Sequence, residues 1–231
     1  MILGALIDAG CPVSTLKKEL QKINLKGYTI TTKRVLYNQI SGTDVHITIE
    51  PPDFERTFSD ISRLINTSKL QRDIKEKSIQ IFSRLAQAEG RVHHIKPENV
   101  HFHEVGAVDS IIDIVGSVIC MKYLDISKVF CSPLPLGKGF VSCSHGMLPV
   151  PAPATVALLR GVPVYTDERD QELVTPTGAA IMTSVADHFG TMPLMTIQKI
   201  GYGSGKTQSR YPNLLRVYLG ELYIKKRKLA H

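Results

Sequence analysis

Five side chains able to bind a metal crowd into VHFHEVGAVDSIIDIVG, residues 100–116: His101, His103, Glu104, Asp109 and Asp113. Their neighbours are mostly apolar, and a carboxylate or imidazole set among apolar groups is costly unless it finds a partner. Drawn out as a strand, VHFHE turns His101 and His103 to the same side, because side chains alternate along extended backbone. Asp109 and Asp113 are four apart, which stacks them on one face of a helix. A turn at Gly106 lets the two pairs converge. Imidazole suits nickel, zinc, iron and copper, and carboxylate widens the range to magnesium and manganese. The pattern predicts a divalent-metal site, or a metal-plus-phosphate site. The plainer alternative makes Asp109 a first-turn acid favoured by the helix dipole and His101 a surface strand residue.

Three further motifs could contribute. In CSHGMLPVPAPAT, His145 stands on a Gly/Pro loop near Cys131 and Cys143 and could complete a metal sphere, or simply cap a turn. No base adjoins Cys143 to activate it as a nucleophile. In TPTGAA, Thr175, Thr177 and Gly178 open a helix, where free N–H groups and hydroxyls would receive a phosphate; plain N-capping explains them equally well. IGYGSGKT, residues 200–207, ends like a phosphate-binding P-loop, but Ile200 stands where the first glycine belongs. Pro212 then forbids the helix that should follow. What survives is a glycine-rich turn that lets backbone approach a ligand.

The elements that must position these residues are legible in outline. STLKKELQKI reads as a helix with Ser14 as N-cap, and YTITTKRVLY with GTDVHITIE as a strand pair. PPD at 51–53 breaks the chain, and two helices follow, the second with Ile74, Ile81, Leu85 and Ala88 on one face and a capping box at Ser68 and Gln71. Residues 107–124 form a helix apolar on most sides, which belongs at the centre of its fold. Beyond 128, prolines and glycines separate short strands and one helix near 153–160; a second helix runs from Thr177 to Gly190, and 214–224 is a last strand. The expectation is an α+β fold: a mixed sheet with packed helices in one domain over 1–231, with a sub-boundary near 126 and a basic tail at 222–231.

Composition sets the class. At 43% apolar and 21% charged residues the chain is an ordinary globular protein, and no apolar run nears the about 20 residues that cross a bilayer. Four cysteines without a C-x-x-C pair argue against a disulfide framework or thiolate zinc site, so a cytoplasmic location is expected. Lys225, Lys226, Arg227 and Lys228 carry four of the +7 net charge, which is a solvated tail and no nucleic-acid surface.

HFHEVGAVDSIIDIVG, SPLPLGKGFVSCSHGMLPVPAPAT, GVPVY, ELVTPTGAAI and GYGSG, in that order, resemble the LarC family, the nickel-insertion proteins for the nickel-pincer nucleotide cofactor of lactate racemase. The likeness runs from LGAL at residue 3 to RVYLGE near 221. It implies a lyase-type metal chelatase that inserts nickel into pyridinium-3,5-bisthiocarboxylate mononucleotide, forming carbon–nickel and sulfur–nickel bonds. It also implies CTP and manganese or magnesium. His101, His103 and Glu104 would then belong to the metal-handling site. Asp109 and Asp113 would support it or hold the counter-cation, and Thr175, Thr177 and Gly178 would face the phosphate of the small-molecule nucleotide.

Family members open with a strand and a Gly/Ser/Asp-rich turn ahead of LGAL and continue into a region tied to the CTP step, whereas this chain spans LGAL to KKRKLAH. The resemblance therefore implies the metal- and substrate-binding N-terminal part, with the C-terminal region expected on another chain and a homo-oligomer expected. The family's nickel-storing histidine run is missing, since only His93 and His94 are adjacent. On the residues alone, a metal-dependent hydrolase of a phosphorylated or nucleotide substrate and a non-catalytic subunit remain open.

Overall fold

The computed structural model describes residues 1–50, 56–100, 102, 108–143, 146–207 and 211–223. The PPD break lies outside them. Helix α1 (Ile2–Asp8) ends at a turn through Gly10, and α2 (Val13–Leu20) buries Leu16 and Leu20. Pro12, not Ser14, stands at its N-cap, because proline's fixed φ makes it a ready boundary. Strands β1 (Tyr28–Tyr37) and β2 (Ile40–Ile49) form the expected hairpin, antiparallel along their length. Asn38 and Gln39 both take positive φ between them, the left-handed pair that a two-residue hairpin loop requires.

Helix α3 (Phe58–Thr67) carries the capping box, at Thr57 and Asp60. The Ser68 and Gln71 expectation is corrected: the Ser68 hydroxyl donates backward to the Ile65 carbonyl at 2.7 Å, so it closes α3, and α4 (Arg72–His93) starts behind Gln71 without a side-chain cap. Helix α5 (Val108–Tyr123) matches the predicted apolar helix, with Ile111, Ile112, Ile114 and Val115 fully buried. Short strands follow: β3 (Phe130–Cys131), β4 (Leu134–Leu136), β5 (Phe140–Cys143) and β6 (Gly146–Pro149). Then come α6 (Pro153–Leu158), β7 (Val164–Thr166), α7 (Pro176–Val185) and β8 (His188–Phe189). Helix α7 stops five residues short of Gly190. The Val129 N–H donates to the Asp187 carboxylate and the Asp187 N–H to the Val129 carbonyl, both at 2.8 Å, which draws the chain into β8 alongside β3.

Strands β9 (Met195–Ser204) and β10 (Leu214–Leu222) complete a mixed sheet ordered β1-β2-β9-β10, with β2 and β9 parallel. The fold is α+β, as the sequence implied. The segment read as a glycine-rich turn is therefore the end of a strand. Gly201 and Gly203 alternate onto the face that meets α1, where a Cβ on either would overlap the α1 backbone at Ala5 and Met1. Gly4 answers from the helix, where a Cβ would strike the Thr43 carbonyl. Glycine is required here because two backbones touch. Asp8 fastens the far end: it is 6% exposed, pairs with Arg34, and accepts from the Thr43 hydroxyl at 3.0 Å and the Tyr202 N–H at 2.8 Å.

Beneath this layer α5 packs against α1, α2, α4 and α7 in one apolar core. Lys122 at the end of α5 pairs with Asp73 at the start of α4 (2.6 Å), so the two helices run antiparallel. Lys77 near that same start donates to the Ser184 carbonyl at the end of α7.

Gly203→Ala should lower the urea-unfolding stability by about 1–3 kcal/mol or more, the cost of forcing atoms into a packed contact. Gly161→Ala meets open space and bears only a positive-φ penalty, so it should cost less. Equal midpoints for the two variants would mean α1 does not rest on β9 in this way.

Candidate functional site at the head of helix α5

The two acids of the opening motif sit where the periodicity placed them. The Asp109 carboxylate accepts from the Ser110 N–H at 2.8 Å in the first turn of α5, and Asp113 follows one turn later on the same face. Asp113 is half-buried between Ile112 and Ile114, which are wholly buried. Burial pushes its carboxyl above the usual carboxylate range and the charge of Asp109 adds to this, while the amino group of Met1 and the ammonium of Lys206 pull the other way. Lys206 leaves the end of β9, so the strand that carries α1 also delivers a cation toward Asp113.

His101, His103, Glu104 and His145 lie outside the described residues, as does the side chain of Cys143. Among the described residues, no three His, Cys, Asp or Glu side chains come together to hold a metal. Val100 and Phe102, which flank the first histidine in sequence, are buried, and the Phe102 ring lies 6.2 Å from that of Phe82 on α4. That packing ties the segment to the core immediately ahead of α5.

Thr175 is the N-cap of α7, its hydroxyl oxygen accepting from the Gly178 N–H at 3.1 Å. Pro176 brings no N–H. Of the first turn's donors only Thr177 is left for a ligand, fewer than the sequence suggested.

None of the three described cysteine thiols, Cys11, Cys120 and Cys131, is exposed. Burial holds the Cys131 thiol up at about 11, so it stays protonated at neutral pH. Cys11 and Cys120 are buried and hydrogen-bond to each other, which raises Cys120 and lowers Cys11. Two residues escaped the sequence reading. Asp8 ends an apolar helix, a pattern that itself asks for a partner; Lys206 was set aside with the P-loop resemblance.

The structure thus describes an α+β protein with two acids one turn apart at the head of a buried helix. The chain belongs to the nickel insertion protein family, whose model, described as "Nickel insertion protein", matches residues 1–230. A "Putative nickel insertion protein" of Dictyoglomus thermophilum is 50% identical over 222 residues, covering 96% of this chain and 58% of the relative. A "Pyridinium-3,5-bisthiocarboxylic acid mononucleotide nickel insertion protein" of Desulfitobacterium hafniense is 48% identical over 222 residues, 96% of this chain and 55% of the relative. A protein of the same description from Acetivibrio thermocellus is 45% identical over 231 residues, covering 95% and 57%. The chain thus spans somewhat over half the length of the curated relatives it matches. No solved structure matches it, and no helix among the described residues is long and apolar enough to cross a membrane.

A carboxyl whose folded-state pKa is raised stabilises the fold only while protonated. That contribution is complete below the ordinary carboxylate pKa and is lost as pH rises through the raised value. Asp113→Asn should therefore raise the urea midpoint at about pH 7.5 and leave it near wild type at about pH 4. No gain at the higher pH would mean that the carboxylate is well solvated.

Proposed function

We propose that this chain is the metal- and substrate-binding part of an enzyme that inserts nickel into pyridinium-3,5-bisthiocarboxylic acid mononucleotide. The observation that carries the reading is the Asp109 and Asp113 pair at the head of α5, immediately behind HFHE, in a member of the nickel insertion family. In the substrate, the two thiocarboxylates flank one ring carbon, so nickel held there meets two sulfurs and that carbon. Replacing the carbon's hydrogen by nickel releases a proton, which a carboxylate or imidazole can accept.

His101 and His103 are borderline-soft donors suited to Ni²⁺ on its way to sulfur, with Glu104 and the loop histidine His145 completing its sphere. Asp109 and Asp113 supply hard oxygen donors, which also fit the magnesium or manganese that the family resemblance implies. Their charge favours the cationic metal and the pyridinium ring alike. Thr177 at the head of α7, with Thr175 and Gly178 fixing its turn, is a hydrogen-bond donor toward the same ligand. The CTP step we assign to a C-terminal family region on a partner chain, and we expect the working assembly to be a homo-oligomer. Three free thiols at Cys11, Cys120 and Cys131 fit a reducing compartment, which favours the cytoplasm.

Calorimetric titration with Ni²⁺ tests the site. Affinity should fall between about pH 7 and 5 as imidazole protonates, with protons released on binding at the lower end. The His101→Ala/His103→Ala double variant should lose at least about tenfold, the effect expected when metal ligands are removed. Wild-type affinity in the double variant would remove these histidines from the site. Release of inorganic phosphate from simple phosphoesters with Mn²⁺ would favour a hydrolase instead.

A further inference from the structure

The sheet face turned away from α1 holds a groove of about 760 Å³, inside the range of about 300–1,000 Å³ typical of small-molecule sites. Which residues face it follows from alternation. Arg34 and Thr43 turn toward Asp8 on the α1 side, so their neighbours Lys33, Asp44 and His46 line the other side. Lys206 closes the groove from the loop after β9.

The groove gathers two lysines and an imidazole, with Asp44 as its opposing acid. Lys33 does little for Asp44: the ammonium is 3.7 Å away and its side chain 68% exposed, a loose pair worth little in water. It remains available to an anion. Lys206 is exposed, but its backbone is held. The Gly205 carbonyl accepts from the Tyr37 hydroxyl at 2.7 Å and from the Ser204 hydroxyl at 2.9 Å, while the Gly205 N–H donates to the Asn213 carbonyl at 2.9 Å. Three hydrogen bonds around one residue aim the next one.

We propose that this groove seats the phosphate of the mononucleotide, gripped by Lys33, His46 and Lys206. The head of α7 is the weaker seat, because Pro176 and the Thr175 cap leave it only the N–H and hydroxyl of Thr177. Charge-assisted contacts from two lysines outweigh those neutral donors. This inference takes the identity of its ligand from the proposed function; the preference for phosphate is a property of the groove itself.

The test uses nicotinic acid mononucleotide, a pyridinium ribonucleotide, and its riboside, which lacks the phosphate. Binding to the full chain is followed by calorimetry or by ligand NMR. Wild type should hold the mononucleotide and release it with rising salt, and it should bind the riboside at least about tenfold more weakly. Lys33→Ala/Lys206→Ala should lose about tenfold or more in mononucleotide affinity, and Thr177→Ala should lose less. Circular dichroism of each variant verifies folding, and Tyr37→Phe, which removes one of the two hydrogen bonds to the Gly205 carbonyl, should show a smaller loss in the same direction. Equal binding of the two ligands, no binding by wild type, wild-type binding by the lysine variant, or a loss concentrated in Thr177→Ala would each overturn the proposal. The nickel titration separates the two readings. A chain that binds Ni²⁺ but not the mononucleotide sinks the groove alone, and one that grips the mononucleotide but not Ni²⁺ sinks the nickel reading alone.

Discussion

Helix α1 can rest on β2 and β9 only because side chains are missing where they meet. Gly4 faces the Thr43 carbonyl, and Gly201 and Gly203 face the helix, so the separation is set by backbone atoms alone. Backbone-on-backbone contact has little slack: a single methyl group has no void to enter. That fit joins residues from the start and the end of the chain and fixes the height of α5 beneath α1. It also fixes where β9 ends, and so where Lys206 begins. The acids on α5 and the cation on the loop are positioned by one contact.

Three buried or half-buried acids show how the fold separates structural from functional carboxylates. Asp8 is met by a guanidinium, a hydroxyl and a backbone N–H, which together replace the water it gave up. Asp109 spends one oxygen on its own helix. Among the described residues no such set of hydrogen bonds meets Asp113, and burial favours its neutral form more than the charges of Met1 and Lys206 oppose it. A partly compensated acid on an otherwise consistent helix is the kind of local conflict that proteins retain where chemistry needs it. A bound cation would reverse its sign, turning a cost into an attraction.

Much of this was open to a reader of the sequence, and the gaps have physical causes. The hairpin and α5 announce themselves because β-branched alternation and all-round apolarity are local signals. The capping box was misplaced because Ser68 with Gln71 has the same spacing as Thr57 with Asp60, and only the direction of the Ser68 hydroxyl tells them apart. The early end of α7 depends on Asp187 reaching Val129, a contact 58 residues away. Most instructive is GYGSGK. Glycines spaced for close approach were read as making room for a ligand, whereas two of them make room for a helix some 200 residues earlier in the chain. A sequence records that something must come near; it does not say what. The shared helical face of Asp109 and Asp113 was legible because i, i+4 geometry is local, while the groove joins the β1–β2 hairpin to the end of β9, which no window contains.

The order of strands in the sheet also bears on how the chain must be made. Strands β1 and β2 are complete by residue 49, but their neighbour β9 is complete only at residue 204. Until then the hairpin carries an open edge and α1 has only half its seat, the kind of surface that invites pairing with other chains. Loop closure over some 150 residues makes the final docking slow relative to helix formation. The helical layer from α3 to α7 can gather first, so completion of the sheet is the step that creates the groove and brings Lys206 to Asp113. A chain halted before β9 would therefore present both acids of α5 with neither Lys206 nor the groove in place.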